Sequence, residues 1–354
     1  MSTQIHHYDW PIPPARLDDY LTNGWRPSGQ AVYSSDYLRT DDDQLHGVLQ
    51  VRLPLAGFAF KKRHRKLLRR NNARFRVHIG PAGAPDDELR ALNQRYMVLH
   101  PEKTRDDLEI HVQNALGLRV LDTYVVRVYD GDRLAAFSYC DLGVTRMYSK
   151  AGIYDPDYAR DSLGIYTMLL EIDFARQRGI THYHPGYVAP TYPLFHYKLQ
   201  FGPMEVRRLD GSWVDYEEER ANTLNPYAYS LAALEKLVAA ADPALELAVM
   251  EYVSFTARYH YPDDAQVQLL DGALLVANRN VAYVPDYVVV YDPVKRRYRL
   301  LEVNVTVLHD HNRQPVGHTG LRRYPYVLNE ERDLVSSPEV EPILAQIARM
   351  GNTP

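Results

Sequence analysis

The stretch between Val120 and Arg208 constrains this chain more than any other part of it. Thr123 to Tyr129, Leu134 to Asp141 and Arg146 to Ile153 are short β-rich runs with a turn at Asp130-Gly131, which predicts an antiparallel meander. After Asp155-Pro156, the residues Leu163, Tyr166, Leu169, Leu170, Ile172, Phe174 and Ala175 give Ser162 to Arg178 broad apolar faces at helical spacing, with Gly179 at the end. Thr181 to Tyr187 then reads as a strand, Tyr192 to Gln200 as a short helix, and Met204 to Arg208 as a strand before an Asp210-Gly211 turn. That order of elements predicts an α/β (α+β) chain.

Upstream, Pro13 and Pro14 open a short helix with Leu17, Tyr20 and Leu21 on one face and Gly24 at its end. Val48 to Leu55 reads as a strand stopped by Pro54. Asp86 is placed to cap a helix carrying Leu89, Leu92, Tyr96 and Leu99, and Thr104 another carrying Leu108, Val112 and Leu116, and these two helices are expected to pack together. Beyond about Ala221 the character shifts. Leu231 to Ala241 and Ala244 to Thr256 read as helices, Tyr287 to Tyr291 and Tyr298 to Val307 as a hairpin across Asp292-Pro293, and Pro338 to Met350 as a closing helix. At 354 residues the chain is long for one core. The expected division is an N-terminal region with a basic arm over 1–80, a core over 81–221 and an added C-terminal α+β domain over 222–354.

The chain carries 41 basic and 45 acidic side chains, so an anionic partner has to be held by a local patch and not by the whole-molecule field. Such a patch exists: Lys61 to Arg76 contains nine Lys or Arg and no acid. As a helix it repels itself unless a polyanion neutralises it, and a nucleic acid backbone is the natural candidate, through Lys61, Lys62, Arg63, Arg65, Lys66, Arg69 and Arg70. A second clue is Arg160-Asp161-Ser162-Leu163-Gly164-Ile165-Tyr166, where a helix begins with free N–H groups and a glycine permits close approach. Such a start can cradle phosphate or a developing oxyanion, although Ser162 also suits a plain N-cap.

One cysteine, Cys140, excludes an intramolecular disulfide and a multi-cysteine metal site, and suits a reducing compartment. The N-terminus has no basic or apolar leader pattern and no long apolar run occurs, so a cytoplasmic protein that does not span a membrane is expected. His309-Asp310-His311 with His318 offers metal-binding side chains, but no motif spacing fixes them as ligands and no metal is assigned. Cys140 reads as a small buried hydrophobe.

The meander, the glycine-bearing turn, the helix and a diverging strand form the layout of a Gcn5-related N-acyltransferase-like core. Over roughly Leu17 to Tyr216 the chain resembles the aminoacyl-tRNA-protein transferases, the arginyl- and leucyl-transferases. The resemblance rests on Gly24-Trp25-Arg26-Pro27-Ser28-Gly29, Arg69-Arg70-Asn71, Tyr154-Asp155-Pro156, Arg160 to Gly164, Glu171-Ile172-Asp173-Phe174-Ala175-Arg176, Gly186-Tyr187 and Tyr197-Lys198 with Phe201. There are departures. No cysteine cluster stands between Ser34 and His46, and Tyr192-Pro193-Leu194-Phe195-His196-Tyr197-Lys198 replaces the family's first lysine and methionine by apolar residues. Pro185 interrupts the strand before Gly186, and Gly202 stands where an arginine is common.

The resemblance implies an enzyme that moves an amino acid from aminoacyl-tRNA to an amine: a protein or peptide N-terminus, or a small molecule. The reaction needs no cofactor, because the ester is already activated and positioning supplies most of the rate. The expected roles are phosphate or oxyanion contact at Ser162, Leu163 and Gly164, and charge at Arg160 and Lys198 for the tRNA 3′ end. Tyr187 and Tyr197 are expected to orient the substrate and deliver protons, His184 to accept a proton, and Tyr192 and Phe195 to stack on the terminal adenine. Two alternatives stay open: an acyl-CoA-dependent N-acyltransferase, and an inactive tRNA-binding homologue.

Overall fold

A computed structural model describes residues 3–40, 42, 44–100, 106–259, 268–280, 286–306 and 320–351. The chain enters through strand β1 (Gln4–His6) and helix α1 (Pro14–Thr22), whose first turn tolerates Pro14 because that N–H has no helical partner to lose. Leu17, Tyr20 and Leu21 are buried, and Gly24 takes the left-handed φ of +79° that ends the helix. Strands β2 (Arg26–Ser28) and β3 (Ala31–Ser34) join β1 in a three-stranded sheet, and β4 (Tyr37–Arg39) and β5 (Leu45–Gly47) form a separate ribbon.

β6 (Leu49–Pro54) alternates buried and half-buried residues, the period of a strand with one face on a core. The basic run follows as helix α2 (Lys62–Asn72). His64 and Asn71 are buried and Leu67 and Leu68 half-buried, so one helical face at i, i+3, i+4 and i+7 packs inward while the Lys and Arg side chains stay exposed. The charge therefore does not encircle the helix evenly. After β7 (Arg76–Pro81) comes α3 (Asp87–Leu99), where the Asp86 carboxylate accepts the Leu89 N–H at 3.1 Å as the cap expected from sequence.

The second helix expected around Leu108, Val112 and Leu116 does not form, and Thr104 lies outside the described residues. Only a short turn at Glu109–His111 is present. The Asn114 side chain accepts the N–H groups of Leu116 and Leu118 and so folds the chain back on itself. Leu108 and Val112 are buried all the same, in the cluster that α3 forms with the sheet.

The meander is β8 (Thr123–Asp130), β9 (Arg133–Leu142) and β10 (Arg146–Tyr154), followed by α4 (Leu163–Gln177), β11 (His182–Val188), β12 (Glu205–Arg207) and β13 (Trp213–Asp215). They form an eight-stranded sheet in the order β13-β12-β6-β11-β10-β9-β8-β7. Only β10 and β11 are parallel, which is why a helix has to cross between them. They pair from Arg146↔His182 to Tyr148↔His184 and then part, although β10 continues to Tyr154 and β11 to Val188. Pro185 has no N–H to give to a ladder, and the register of β11 against β6 shifts between Tyr183 and Gly186. α4 and α2 cover one face of the sheet, over Met147, Cys140 and Tyr183; α3, α1 and the small sheet lie on the other, over Phe137, Tyr139 and Tyr148.

The rest comprises α5 (Glu218–Leu224), α6 (Pro226–Ala240), β14 (Leu247–Glu251), β15 (Leu274–Asn278), β16 (Tyr287–Asp292), β17 (Arg297–Thr306), β18 (Val327–Ser337) and α7 (Val340–Gly351). The strands form an antiparallel five-stranded sheet in sequence order, with its own hydrophobic cluster that also takes in Leu45 from β5. The helix expected over Ala244 to Thr256 is instead β14 followed by a short turn helix. Pairing with β15 buries Leu247, Val249 and Met250, and this outweighs the local alanine content. Among the described residues no helix is long and apolar enough to cross a membrane.

Candidate active site

Helix α4 starts from a strained residue. Ser162 stands at the N-cap position that the sequence suggests, but it is left-handed at φ 53°, ψ 45°, and its hydroxyl makes no capping bond. Its carbonyl instead accepts the N–H groups of Ile165 and Tyr166 at 3.1 and 2.9 Å. Leu163 and Gly164 occupy the first two helical positions, where N–H groups have no intrahelical acceptor. Leu163 is buried and Gly164 half-buried, while Arg160 and Ser162 are exposed beside them.

The basic helix is fastened to this turn. Arg70 Nη2 and Asn71 Nδ2 donate to the Asp161 carbonyl at 3.1 and 2.9 Å, Arg74 pairs with the Asp161 carboxylate at 3.1 Å, and the Tyr166 hydroxyl donates to Asn72 at 2.6 Å. At the other end Lys61 and Arg63 donate to the carbonyl of Gln200 at 2.8 and 3.2 Å, and Arg65 donates to that of Phe60. Lys62, Lys66 and Arg69 are exposed. None of the seven basic residues singled out in the sequence pairs with an acid among the described residues. The structure thus brings the basic helix and the α4 start, which are far apart in sequence, onto one surface.

Where β10 and β11 part, a second group of side chains gathers. Gly186 takes φ +102°, and a Cβ there would lie 3.2 Å from Lys198 Nζ and 3.5 Å from the Tyr148 hydroxyl. Lys198 is 8% exposed. Its Nζ donates to the Tyr187 carbonyl at 3.1 Å and sits 5.0 and 4.7 Å from the ring centres of Tyr187 and Phe195. Burial, and then the nearby Arg26 guanidinium, pull the Lys198 ammonium down to about 7. Tyr187 packs edge-on to Phe195, and Phe195 edge-on to Tyr192, whose ring stacks on His46 at 5.0 Å. Lys198, Tyr187, Tyr192 and Phe195 therefore form one cluster.

The other two candidates stand apart. His184 is buried edge-on to Trp213 at 5.8 Å, and burial, with Arg52, His182 and Arg146 adding to it, holds the imidazole well below its ordinary value. Tyr197 is 45% exposed. His309, Asp310, His311 and His318 lie outside the described residues, and among the described residues no group of three or more His, Cys, Asp or Glu could hold a metal. Cys140 is buried in β9, as its sequence context suggests. Two residues without an expected role emerge. Arg26 is almost fully buried against Tyr33 and Tyr187. Glu171 is completely buried in α4 and accepts a hydrogen bond from the Tyr183 hydroxyl at 2.7 Å. Their presence in the Gly-Trp-Arg and Glu-Ile segments was the available signal.

An antiparallel meander, the start of α4 and a parallel strand that leaves its neighbour make an α+β core in the order of elements that the sequence predicts. Residues 88–208 match the family described as arginine-tRNA-protein transferase, C terminus. The chain is 24% identical over 225 residues to an aspartate/glutamate leucyltransferase of Leptospira interrogans, covering 61% of this chain and 85% of that protein. It is 28% identical over 207 residues to one of Acinetobacter baumannii, covering 57% and 73%. Over this part of its length the chain is similar to the aminoacyl-tRNA-protein transferases. Solved structures that match include FemX, with a TM-score of 0.31 and 11% identity over 49% of this chain and 60% of that one. A tandem GNAT protein from the clavulanic acid biosynthesis pathway matches with a TM-score of 0.32 and 11% identity over 56% and 57%.

Proposed function

We propose that this protein transfers an amino acid from aminoacyl-tRNA to the amino terminus of a protein or peptide, and that it works in the cytoplasm, where charged tRNA is made. The observation that carries the reading is the fastening of α2 to the start of α4 through Asp161. A surface dense in unpaired cations suits a phosphate backbone, and here it runs directly into amides able to hold an anion. The relatives' shared name points to aspartate and glutamate as the acceptor residues and leucine as the transferred one.

In the reaction a neutral amine attacks the carbonyl carbon of the ribose ester. The C–N bond forms, the C–O bond to ribose breaks, and the proton lost from nitrogen is balanced by one gained on the departing ribose oxygen. The amides of Leu163 and Gly164 hold a phosphate or the developing oxyanion, with Arg160 beside them. Lys62, Lys66 and Arg69 take the backbone of the acceptor stem, and Tyr192 and Phe195 the terminal adenine. Tyr187 orients the ester and the Tyr197 hydroxyl hands a proton to ribose. His184, held neutral among other cations, is a structural residue in this scheme. The ester is already activated, so the scheme calls for no cofactor.

The test is to incubate the protein with tRNA charged with labelled amino acid and, separately, with labelled acetyl-CoA, offering peptides with defined amino termini to both. Product from charged tRNA alone supports the reading. Product from acetyl-CoA alone replaces it with acyl-CoA chemistry, and tRNA binding without any product reduces it to RNA binding.

A further inference from the structure

The ribbon of β4 and β5 touches two distant parts of the molecule at once. Its register pairs Tyr37 with Gly47, Leu38 with His46 and Arg39 with Leu45. Side chains alternate along a strand, so His46 faces away from the side that Leu45 and Gly47 share. Leu45 is buried in the hydrophobic cluster of the C-terminal sheet. A Cβ on Gly47 would lie 1.7 Å from Oδ1 of Asn225, the oxygen that caps α6 by accepting the Tyr227 N–H at 3.0 Å. From β4, the Tyr37 ring packs edge-on to Phe255 at 5.8 Å and Arg39 donates to the Thr256 hydroxyl at 3.3 Å. A two-stranded ribbon is marginal by itself in water, so it depends on these contacts for its place. On the other side His46 is buried, and its ring stacks on Tyr192 with centres 5.0 Å and planes 26° apart, while Nδ1 makes a 2.9 Å hydrogen bond with the Thr191 hydroxyl. Tyr192 lies beyond the end of β11, in a turn closed by its own N–H on the Ala189 carbonyl at 3.0 Å. Phe195 meets it edge-on, so His46 is the flat backing that fixes the plane of this ring.

We propose that His46 is the positioning residue for Tyr192, and that the C-terminal sheet, by holding the ribbon, keeps that ring in place to stack on the terminal adenosine of tRNA. The inference rests on the transfer reading, which gives Tyr192 the adenine, and it supplies a task for a part of the chain outside residues 88–208. A half-buried ring already backed on one face adds a base as the next layer without losing further rotamer freedom. Leu45, His46 and Gly47 are consecutive, so a shift of the ribbon against the C-terminal sheet reaches the imidazole within one residue.

The test compares binding of intact tRNA with binding of the same tRNA lacking its terminal adenosine, using the full chain and no turnover. The wild type is expected to bind the intact RNA about fivefold or more tightly. His46→Asn, which keeps a polar group and loses the ring, should bring that ratio close to one, and His46→Phe, which keeps the ring, should retain most of it. Gly47→Ala, which touches neither Tyr192 nor RNA, should act like His46→Asn by forcing the ribbon off Asn225. A general loss of fold weakens binding of both RNAs and does not imitate a change in their ratio. An unchanged ratio in His46→Asn overturns the inference, and a ratio lost equally in His46→Phe does the same by showing that the ring face is not what counts. A ratio kept in Gly47→Ala removes the part given to the C-terminal sheet. Transfer from charged tRNA by a wild type indifferent to the terminal adenosine would strike this inference and leave the transfer reading standing. An adenosine preference that depends on His46, with no transfer from any charged tRNA, would do the reverse.

Discussion

The Arg70 guanidinium donates to the main-chain carbonyl of Asp161 at 3.1 Å, one residue before the left-handed Ser162 from which α4 starts. With the Lys61 and Arg63 bonds to Gln200 at its other end, α2 becomes a rail about 16 Å long, at ~1.5 Å per residue, between the start of α4 and the end of the Pro193–Gln200 segment. The helix is thus placed by the ends of its basic side chains as well as by its apolar face, and those left over point to solvent.

Lys66→Glu with Arg69→Glu should therefore weaken tRNA binding at low salt by at least about tenfold and lower the log–log salt slope by roughly 1.4 to 1.8, the share of two phosphate contacts. Fluorescence anisotropy titrations across a salt series read both quantities. Unmoved affinity and slope would show that α2 is not the RNA surface.

Ser162→Gly should raise stability by about 0.5–1 kcal/mol, because a left-handed residue with a Cβ is strained and this hydroxyl makes no capping bond to offset the strain. Ser162→Val should lower it. Urea midpoints measured side by side decide this, and a loss on going to glycine would mean that the serine side chain carries stability through a bond not seen here.

The central elements were legible in the sequence because their signals are local. The apolar face of α4, the Asp130-Gly131 turn and the Asp86 cap all reappear where spacing put them. The α4 start and the basic run could be singled out, yet their union through Asp161 joins residues 90 apart and leaves no local trace. The failures have the same origin. The stretch Ala244 to Thr256 carries helix-forming residues but is drawn into a sheet by β15, and Leu108 and Val112 are buried by α3 and the sheet without a helix of their own. Arg26 was visible as a motif letter, but its burial between two rings depends on β3 and β11 meeting over it.

Glu171 links stability to pH. Burial raises its carboxyl to about 7, so between its ordinary value near 4.5 and 7 the native state holds a proton that the unfolded chain has released. Stability should fall as pH rises through that window, by on the order of 3 kcal/mol at most. Glu171→Gln should remove the fall, being more stable than the wild type at pH 8 and close to it at pH 4. Denaturation midpoints at the two pH values check the sign, and parallel profiles would mean that the carboxyl is neutral or paired throughout.

Lys198 should act in the opposite direction. Its ammonium is depressed from 10.5 to about 7 by burial and then by Arg26, so between those values the unfolded chain holds a proton that the native state has lost. The penalty is full below pH 7 and fades as pH rises towards 10.5, which gives a wild-type stability that climbs across this range. Lys198→Met should flatten the climb, melting above the wild type at pH 6.5 and converging with it near pH 10. Denaturation midpoints at pH 6.5 and 10 check both expectations, and parallel profiles for the two proteins would mean that the native ammonium is not depressed.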